Sequence, residues 1–222
     1  MTFTGFASRT QAGQLLAQQV AKFHFDQPVV LALPRGGIPV AVEVAQVLNA
    51  PLDLLLVRKI GIPWQPELAA AAVVDGERHD LVFNDEVMSL TGVHRDDIER
   101  GATKELTEID RRRKLYLKGR EPISVAGRTA IVVDDGIATG TTVKAALQAL
   151  KRRNPKKLVL AVPVGPSQTI EELAAYVDEV ICLQQPEPFN AIGDFYSDFH
   201  QISDEEVIEM LAAADSSDQT GD

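Results

Sequence analysis

The sequence predicts an α/β protein in which helices flank both faces of a mostly parallel sheet. Short segments rich in Val, Leu and Ile alternate with helical patterns along most of the 222 residues, an alternation typical of a parallel sheet. The apolar segments are nearly continuous, as expected for strands that are covered on both faces. We expect one domain over residues 1–210.

The chain opens with a predicted amphipathic helix, for which Ser8 or Thr10 is the expected N-cap. Its predicted buried face consists of Leu15, Leu16, Val20 and Phe23. Strands are then expected at residues 28–34, 52–57, 129–134, 157–164 and 177–183. Helices are expected at 38–49, 141–153 and 167–175. Because ligands of such sheets bind beyond the carboxyl ends of the strands, the candidate binding loops are 34–37, 58–61, 134–142 and 184–196.

A long insertion at residues 61–121 separates the second predicted strand from the third. We expect it to contain a hairpin that turns at Asp75 and Gly76, a favoured two-residue turn. A helix should follow from about His94 to Leu117. The basic run at its end, residues 111–114, is interpreted as a solvated helix end, with direct substrate contact as the alternative. The tail, residues 211–222, is expected to be disordered because it has little apolar surface.

Composition and charge restrict the function. The net charge of −10 disfavours binding to a nucleic-acid backbone. The first residues lack the layout of a signal peptide, and no apolar run approaches the ~20 residues of a membrane span, so we expect a cytoplasmic protein. The single cysteine, Cys182, lies in an apolar run and is interpreted as a buried structural thiol.

The most informative stretch is AIVVDDGIATGTT, residues 130–142, in which an apolar strand runs into two carboxylates and a turn. Amides at a helix start lack intrahelical partners, so the turn offers a cradle for a phosphate. Asp134 and Asp135 would repel that phosphate, but they suit the hydroxyls of a ribose diol with a divalent cation nearby. A plain strand end and helix cap would also explain Asp135 and Thr141. The GxxxxGK[ST] and G-x-S-x-G motifs are absent.

This stretch resembles the signature of the type I phosphoribosyltransferases. LALPRGGIPVAVEVA, LLLVRKIG and FNAIGDFYSDFHQISDEEV extend the likeness to a bacterial and archaeal group of predicted members whose acceptor is unassigned. The resemblance implies a Rossmann-like sheet with a hood, here residues 184–200, and a flexible insertion that covers the site. It also implies Mg²⁺-dependent transfer of a phosphoribosyl group from 5-phosphoribosyl diphosphate (PRPP) to a nitrogenous acceptor, with release of pyrophosphate.

The resemblance also implies residue roles. Asp134 and Asp135 would bind the ribose hydroxyls, and Mg²⁺ through water or those hydroxyls. The 5-phosphate would be held by Ala138, Thr139, Gly140, Thr141 and Thr142. The pyrophosphate loop would consist of Pro34, Arg35, Gly36 and Gly37, in which many relatives have a non-proline cis peptide. Arg35 and Lys59 would oppose the charge of the leaving group, and Arg58 would reach it too; surface roles are the alternatives for Arg35 and Arg58.

The acceptor should enter under the hood. Phe189 could stack on a flat base and Asn190 could bind its edge; alternatively, the hood aromatics only pack together. His200 is interpreted as structural or solvated. Ala138 stands where 6-oxopurine relatives have an aspartate, which disfavours hypoxanthine and guanine and leaves adenine open. The lone Cys182 disfavours an amidophosphoribosyl transfer that needs an N-terminal nucleophile.

Two alternatives to the enzyme remain at this stage. One is a regulatory protein that senses PRPP without efficient transfer, and the other is a scaffold that binds a different sugar phosphate. The expected partners are PRPP and a small-molecule acceptor, with no nucleic acid and no membrane, and family habit suggests a homodimer.

Overall fold

A computed structural model describes residues 5–76, 79–118 and 120–218 of the chain. Its described strands are β1 Pro28–Ala32, β2 Leu52–Leu54, β3 Val57–Ile62, β4 Gln65–Val74, β5 Asp80–Phe83, β6 Thr129–Val133, β7 Lys157–Val164 and β8 Glu179–Gln184. Its described α-helices are α1 Arg9–Val20, α2 Gly37–Leu48, α3 Asp85–Thr91, α4 Arg95–Leu117, α5 Thr141–Lys151, α6 Ser167–Ala174 and α7 Asp204–Asp218.

The central sheet has five strands in the order β2-β1-β6-β7-β8, and all neighbouring strands are parallel. Alternate residues of β1 enter different cores: Val30 packs with α1, α2 and α7, whereas Val29 packs with α5 and α6. This arrangement confirms the predicted α/β class. The carboxyl ends of the strands lie at one edge of the sheet, and the loops that follow β1 and β6 are therefore neighbours.

The buried face of α1 differs from the predicted one. Leu15 and Phe23 are 40% and 36% exposed, respectively, while the small residues Ala12, Gly13 and Ala17 face the interior. The reason is the close approach of α2, since a Cβ at Gly13 would lie 2.9 Å from the Cα of Val40. The predicted Ser8 cap is confirmed, because its side chain accepts a hydrogen bond from the Gln11 amide.

The insertion forms a second, antiparallel sheet in the order β3-β4-β5. The predicted loop 58–61 is wrong, because these residues pair with β4 as part of β3. The predicted two-residue turn is also wrong, because Val74 pairs with Asp80 and residues 75–79 connect them. Asp75 is only 1% exposed, held by an ion pair with Arg113 rather than placed in an open turn.

The small sheet lies between two helices. Ile60 and Val73 pack toward the buried side chains of α4, including Ile98 and Ile109, and Val74 packs with α5. The predicted long helix is confirmed as α4, with His94 as its N-cap. The inserted region is thus a packed layer on the sheet edge.

The chain's last described helix corrects the tail prediction. Residues 211–218 belong to α7 rather than to a disordered segment, because Val207 and Leu211 anchor the helix in the core. Residues 219–222 lie outside the described part of the chain. Among the described helices, none has the length and apolarity that a membrane crossing requires.

Candidate functional site

The loop after β1 is in close contact with the loop after β6. The Gly37 amide donates to the Leu33 carbonyl over 3.1 Å, and the Pro34–Arg35 peptide bond is cis, as in many proteins that the sequence resembles. A Cβ at Gly36 would lie 2.0 Å from Oδ2 of Asp135, and one at Gly37 would lie 2.8 Å from the Val133 carbonyl oxygen. Glycine is therefore required at both positions for this contact.

Asp135 joins three distant segments. It is 7% exposed, and its Oδ2 accepts a hydrogen bond from Nε of Arg9 over 2.7 Å. Arg9 also donates to the His200 carbonyl over 2.9 Å and lies 3.8 Å from the centre of the Phe199 ring. The Tyr196 hydroxyl donates to the Asp135 carbonyl oxygen over 2.5 Å. One oxygen of this predicted ribose ligand is thus already used to fix α1 and the hood.

Asp134 points the other way and lines a cavity. Its Oδ1 accepts from the Asp135 amide over 2.9 Å. Burial, reinforced by the neighbouring charge of Asp135, raises the pKa of Asp134 well above its ordinary value. Burial also raises the pKa of Asp135, while the Arg9 guanidinium opposes that shift. The two adjacent carboxylates therefore have different surroundings, one internal and one facing the cavity.

The cavity beside Asp134 has a volume of about 230 Å³. It is lined by the loop after β1, the connection from β2 into β3, strand β3, helix α4, the loop after β6 and the first turn of α5. Its polar and loop lining residues are Pro34, Arg58, Arg112, Asp134 and Thr142. The structure therefore brings predicted residues from 34–37, 58–61 and 134–142 to one space, and it adds Arg112. Neither Phe189 nor Asn190 of the hood is among the lining residues.

The three predicted cationic side chains, Arg35, Arg58 and Lys59, lie in different places in the structure. Nε of Arg58 donates to Oε2 of Glu105 over 2.7 Å, and Arg58 lines the cavity of Asp134. Lys59 follows it on β3 and faces the other side, where it lines a second cavity of about 260 Å³ with Thr141. Arg35 lies over the start of α7, with Nη1 3.5 Å from Oδ1 of Asp204, and does not line the Asp134 cavity as described.

The loop after β6 has the geometry of an anion cradle. Gly140 adopts φ +69°, and α5 begins at the next residue. Ala138, Thr139 and Thr141 are exposed and Thr142 is half-buried. The hydroxyls of Thr139 and Thr141 lie 3.4 Å apart. Free amides at this helix start, next to hydroxyls, can bind a phosphate without a lysine.

The three consecutive arginines near the end of α4 have three different surroundings. Arg111 is bidentate to Glu108, at 2.8 and 3.0 Å, and its side chain is 55% exposed. Arg112 donates to the same carboxylate over 2.7 Å and lines the cavity. Arg113 is buried between Asp75, at 2.5 Å, and Asp53, at 3.3 Å. The solvated interpretation thus describes Arg111 and is wrong for Arg113.

The hood aromatics form one cluster. The Phe189 and Phe195 rings stack at 5.0 Å, and Tyr196 contacts Phe6 and Phe199 at 5.3 and 5.1 Å. The packing interpretation therefore describes these side chains, including Phe189, which is half-buried. Asn190 is exposed.

Two further candidate residues, His200 and Cys182, are held by hydrogen bonds to nearby groups of the protein. His200 contacts Asp198 at 2.9 Å and Glu206 at 3.0 Å, which raises its pKa. Cys182 is half-buried and donates to the Gln184 carbonyl, and burial raises its pKa to about 11. Within the described ranges, no group of three or more His, Cys, Asp or Glu residues could hold a metal ion.

Sequence reasoning missed Arg9, which is one residue past a helix cap and has no local motif. It named Arg112 only as part of the basic run 111–114, for which substrate contact was the alternative. Only the packing of α4 distinguishes Arg112 from its neighbours.

Comparisons with known proteins agree with this geometry. The family model described as phosphoribosyl transferase domain matches residues 7–200. Two Mycobacterium tuberculosis proteins, from strains CDC 1551 and H37Rv, are 47% identical over 209 residues, and their own phosphoribosyl transferase designation is provisional. The match covers 94% of this chain and 47% of each relative, so the chain spans about half the length of these relatives.

Solved structures also resemble this chain in fold. The crystal structure of TT1426 from Thermus thermophilus is 38% identical, with a TM-score of 0.83, and the alignment covers 94% of this chain and 98% of that one. The AQ2163 protein from Aquifex aeolicus is 12% identical with a TM-score of 0.50, over 83% of this chain and 78% of that one, a likeness of fold alone.

Proposed function

This chain belongs to the phosphoribosyl transferase family, in its type I class, and on that premise we propose that it transfers the 5-phosphoribosyl group of PRPP to a nitrogenous acceptor and releases pyrophosphate. The observation that carries the proposal is the single cavity at which Asp134, Pro34 and Thr142 meet. These residues come from the loops that such a donor would need for its ribose, its pyrophosphate and its 5-phosphate.

In the proposed complex the amides and hydroxyls of residues 138–142 hold the 5-phosphate. The Asp134 carboxylate accepts hydrogen bonds from the ribose hydroxyls, because it faces the cavity. Asp135 accepts from Arg9 through Oδ2, and its remaining acceptor positions are proposed to bind the ribose hydroxyls. The pyrophosphate lies along the loop Pro34–Gly37, within reach of Arg58.

The chemistry needs positioning and charge stabilisation rather than a covalent nucleophile. Departure of pyrophosphate leaves a cation-like ribosyl group, so cations near the leaving group and a carboxylate near the sugar both lower the barrier. Arg58 supplies the positive charge and Asp134 faces the sugar, whereas Arg35 pairs with Asp204 and does not line this cavity. In this proposal Arg58 replaces Lys59 at the leaving group, because Lys59 faces the second cavity. The Cys182 thiol stays neutral at physiological pH.

The residues present fit a Mg²⁺ ion that is bound mainly through the donor molecule. Asp134 lines the cavity, and its carboxylate would hold the ion there. Mg²⁺ commonly binds one or two carboxylates together with phosphate oxygens and water. When bound, the ion would supply positive charge opposite the pyrophosphate.

The acceptor remains open in this proposal. Ala138 carries no acid-base group, and it is exposed beside the phosphate cradle. Phe189 is half-buried and stacks on Phe195, so one face of its ring is taken up by the hood itself. This packing supports the second candidate function, a regulatory protein that binds PRPP and transfers it inefficiently or not at all.

The first test is the binding of PRPP with Mg²⁺, measured by calorimetry and thermal unfolding. At one hundred times the dissociation constant, the ligand should stabilise the fold by about 2.7 kcal/mol. The matched variant is Asp134→Asn, for which we expect at least about tenfold weaker binding because a hydrogen bond to a charged group contributes about 1.5–3 kcal/mol. Wild-type protein that does not bind millimolar PRPP would overturn both candidate functions.

The second measurement separates enzyme from sensor. Pyrophosphate release is assayed with a panel of bases, small amines and phenols, with Asp134→Asn as the inactive control. Release with one acceptor supports the transferase. Tight binding without release across the panel supports the regulatory protein.

We further propose that the partners of this protein are small molecules only, that it forms a homodimer and that it is located in the cytoplasm.

A further inference from the structure

We propose that Arg112 of helix α4 binds the diphosphate group of the donor, as the second half of a clamp whose first half is Arg58. The inference rests on the proposed function and names a residue outside the loops that carry the family resemblance. It assigns a binding role to the inserted helix itself.

The two arginines reach the same cavity from different elements. Arg58 lies on β3 and Arg112 on α4, and both line the space beside Asp134. Each is held by a carboxylate of α4: Nε of Arg58 donates to Glu105 and Nε of Arg112 donates to Glu108, both over 2.7 Å. The side chains of Arg58 and Arg112 are 37% and 28% exposed, respectively.

This mode of attachment leaves the other end of each guanidinium for a ligand. Among the described residues, the structure records hydrogen bonds from Nε alone for Arg58 and Arg112. A guanidinium has five N–H donors in a fork that matches phosphate oxygens. Two such forks beside one cavity suit a group with two linked phosphates better than a single carboxylate.

The position of Arg112 is fixed by its neighbours on α4. Ile109, one turn earlier, is fully buried and lines the same cavity. Arg113, the next residue, is anchored between Asp53 and Asp75. Arg112 is therefore presented to the cavity by a helix that is held on both sides, which reduces the entropy lost when a ligand binds.

Arg111 provides a matched control on the same helix. It shares the Glu108 carboxylate with Arg112, so either substitution leaves Glu108 with one arginine. Arg111 does not line the cavity and its side chain is more exposed, 55% against 28%. The variants Arg112→Gln and Arg111→Gln remove the same charge from adjacent positions.

The experiment measures the affinities of pyrophosphate, PRPP and ribose 5-phosphate by calorimetry in the presence of Mg²⁺. Arg112→Gln should weaken pyrophosphate and PRPP about 10- to 100-fold, the loss expected for hydrogen bonds to a charged group. Its affinity for ribose 5-phosphate should change less than about twofold, since that molecule lacks the diphosphate. Arg111→Gln should resemble wild type, and Arg112→Lys should lie between, because lysine keeps the charge and loses the fork.

The outcomes separate the inference from the function beneath it. Wild type that binds PRPP and pyrophosphate, with Arg112→Gln equal to Arg111→Gln, would overturn the role of Arg112 and leave the proposed function intact. If Arg112→Gln weakens the binding of ribose 5-phosphate as much as that of pyrophosphate, the role of Arg112 is also overturned, because equal losses of affinity indicate a general distortion of the site. If Arg112→Gln does not fold, Arg112→Lys decides: wild-type pyrophosphate affinity overturns the clamp, and a selective loss supports it.

Discussion

The edge of the parallel sheet and the inserted region build the two sides of one cavity in different ways. At the sheet edge, Pro34 and Asp134 lie just after β1 and β6. The two segments touch through Gly36 and Gly37, whose added Cβ atoms would lie 2.0 Å from Asp135 and 2.8 Å from the Val133 carbonyl oxygen. In the insertion, the groups are long side chains on β3 and α4, placed by ion pairs. The sheet-edge side of the cavity thus depends on close backbone packing, and the side formed by the insertion depends on ion pairs.

The two regions also differ in how their buried carboxylates are paired with arginines. At the sheet edge a single arginine, Arg9, offsets two adjacent carboxylates. In the insertion Arg113 offsets Asp53 of β2 and Asp75, which follows β4; these residues are 2% and 1% exposed. Removing Arg9 or Arg113 takes the arginine partner away from buried carboxylates, so substitutions can rank the two regions.

The largest effect is expected for Arg9→Gln. This change leaves Asp135 buried beside Asp134 with no cation, and breaking a buried pair costs about 3–5 kcal/mol. Urea unfolding gives the loss directly. The control is Lys156→Gln, since Lys156 pairs with Asp26 on the exposed surface and should cost at most about 1 kcal/mol. A loss for Arg9→Gln no larger than that of the control would contradict this role.

A somewhat smaller loss, about 3 kcal/mol, is expected for Arg113→Gln. Asp53 keeps two backbone donors, the amides of Leu54 and Ile123, both at 2.8 Å, which limits the penalty. Arg111→Gln is the control and should change stability by less than about 0.5 kcal/mol. Thermal unfolding of both variants tests the assignment. Equal melting temperatures for the two would show that the insertion does not depend on this ion pair.

The smallest change in stability, and one of opposite sign, is expected for Asp134→Asn. Because burial raises the pKa of Asp134 in the folded state, the folded protein holds that proton more tightly than the unfolded chain. The wild type therefore loses stability as pH rises from the unfolded pKa to the folded one, and an asparagine does not. The melting temperature of the variant should exceed that of the wild type at pH 8, and the difference should be smaller at pH 4. A lower melting temperature at pH 8 would contradict the prediction.

The sequence predicted the sheet because its strands are nearly continuous apolar runs, and it predicted both loops because their residues are contiguous. It did not predict β3, because Arg58, Lys59 and Gly61 resemble a loop until the alanines of β4 pair with them. It placed Asp75 in a turn because the partner that buries it, Arg113, lies far along the chain. Nor could it sort Arg111 from Arg112, since helix orientation is set by tertiary packing.

The contacts of Arg9 have a consequence for how the protein is made. The side chain joins residue 9 to residue 135 and to the carbonyl of residue 200, so its partners leave the ribosome at very different times. Domains generally fold as units, and contacts between distant segments must wait for the later segment. The contacts around Asp135 can therefore be complete only after translation has passed residue 200, and a nascent chain halted earlier would expose the Asp135 carboxylate that the finished protein buries.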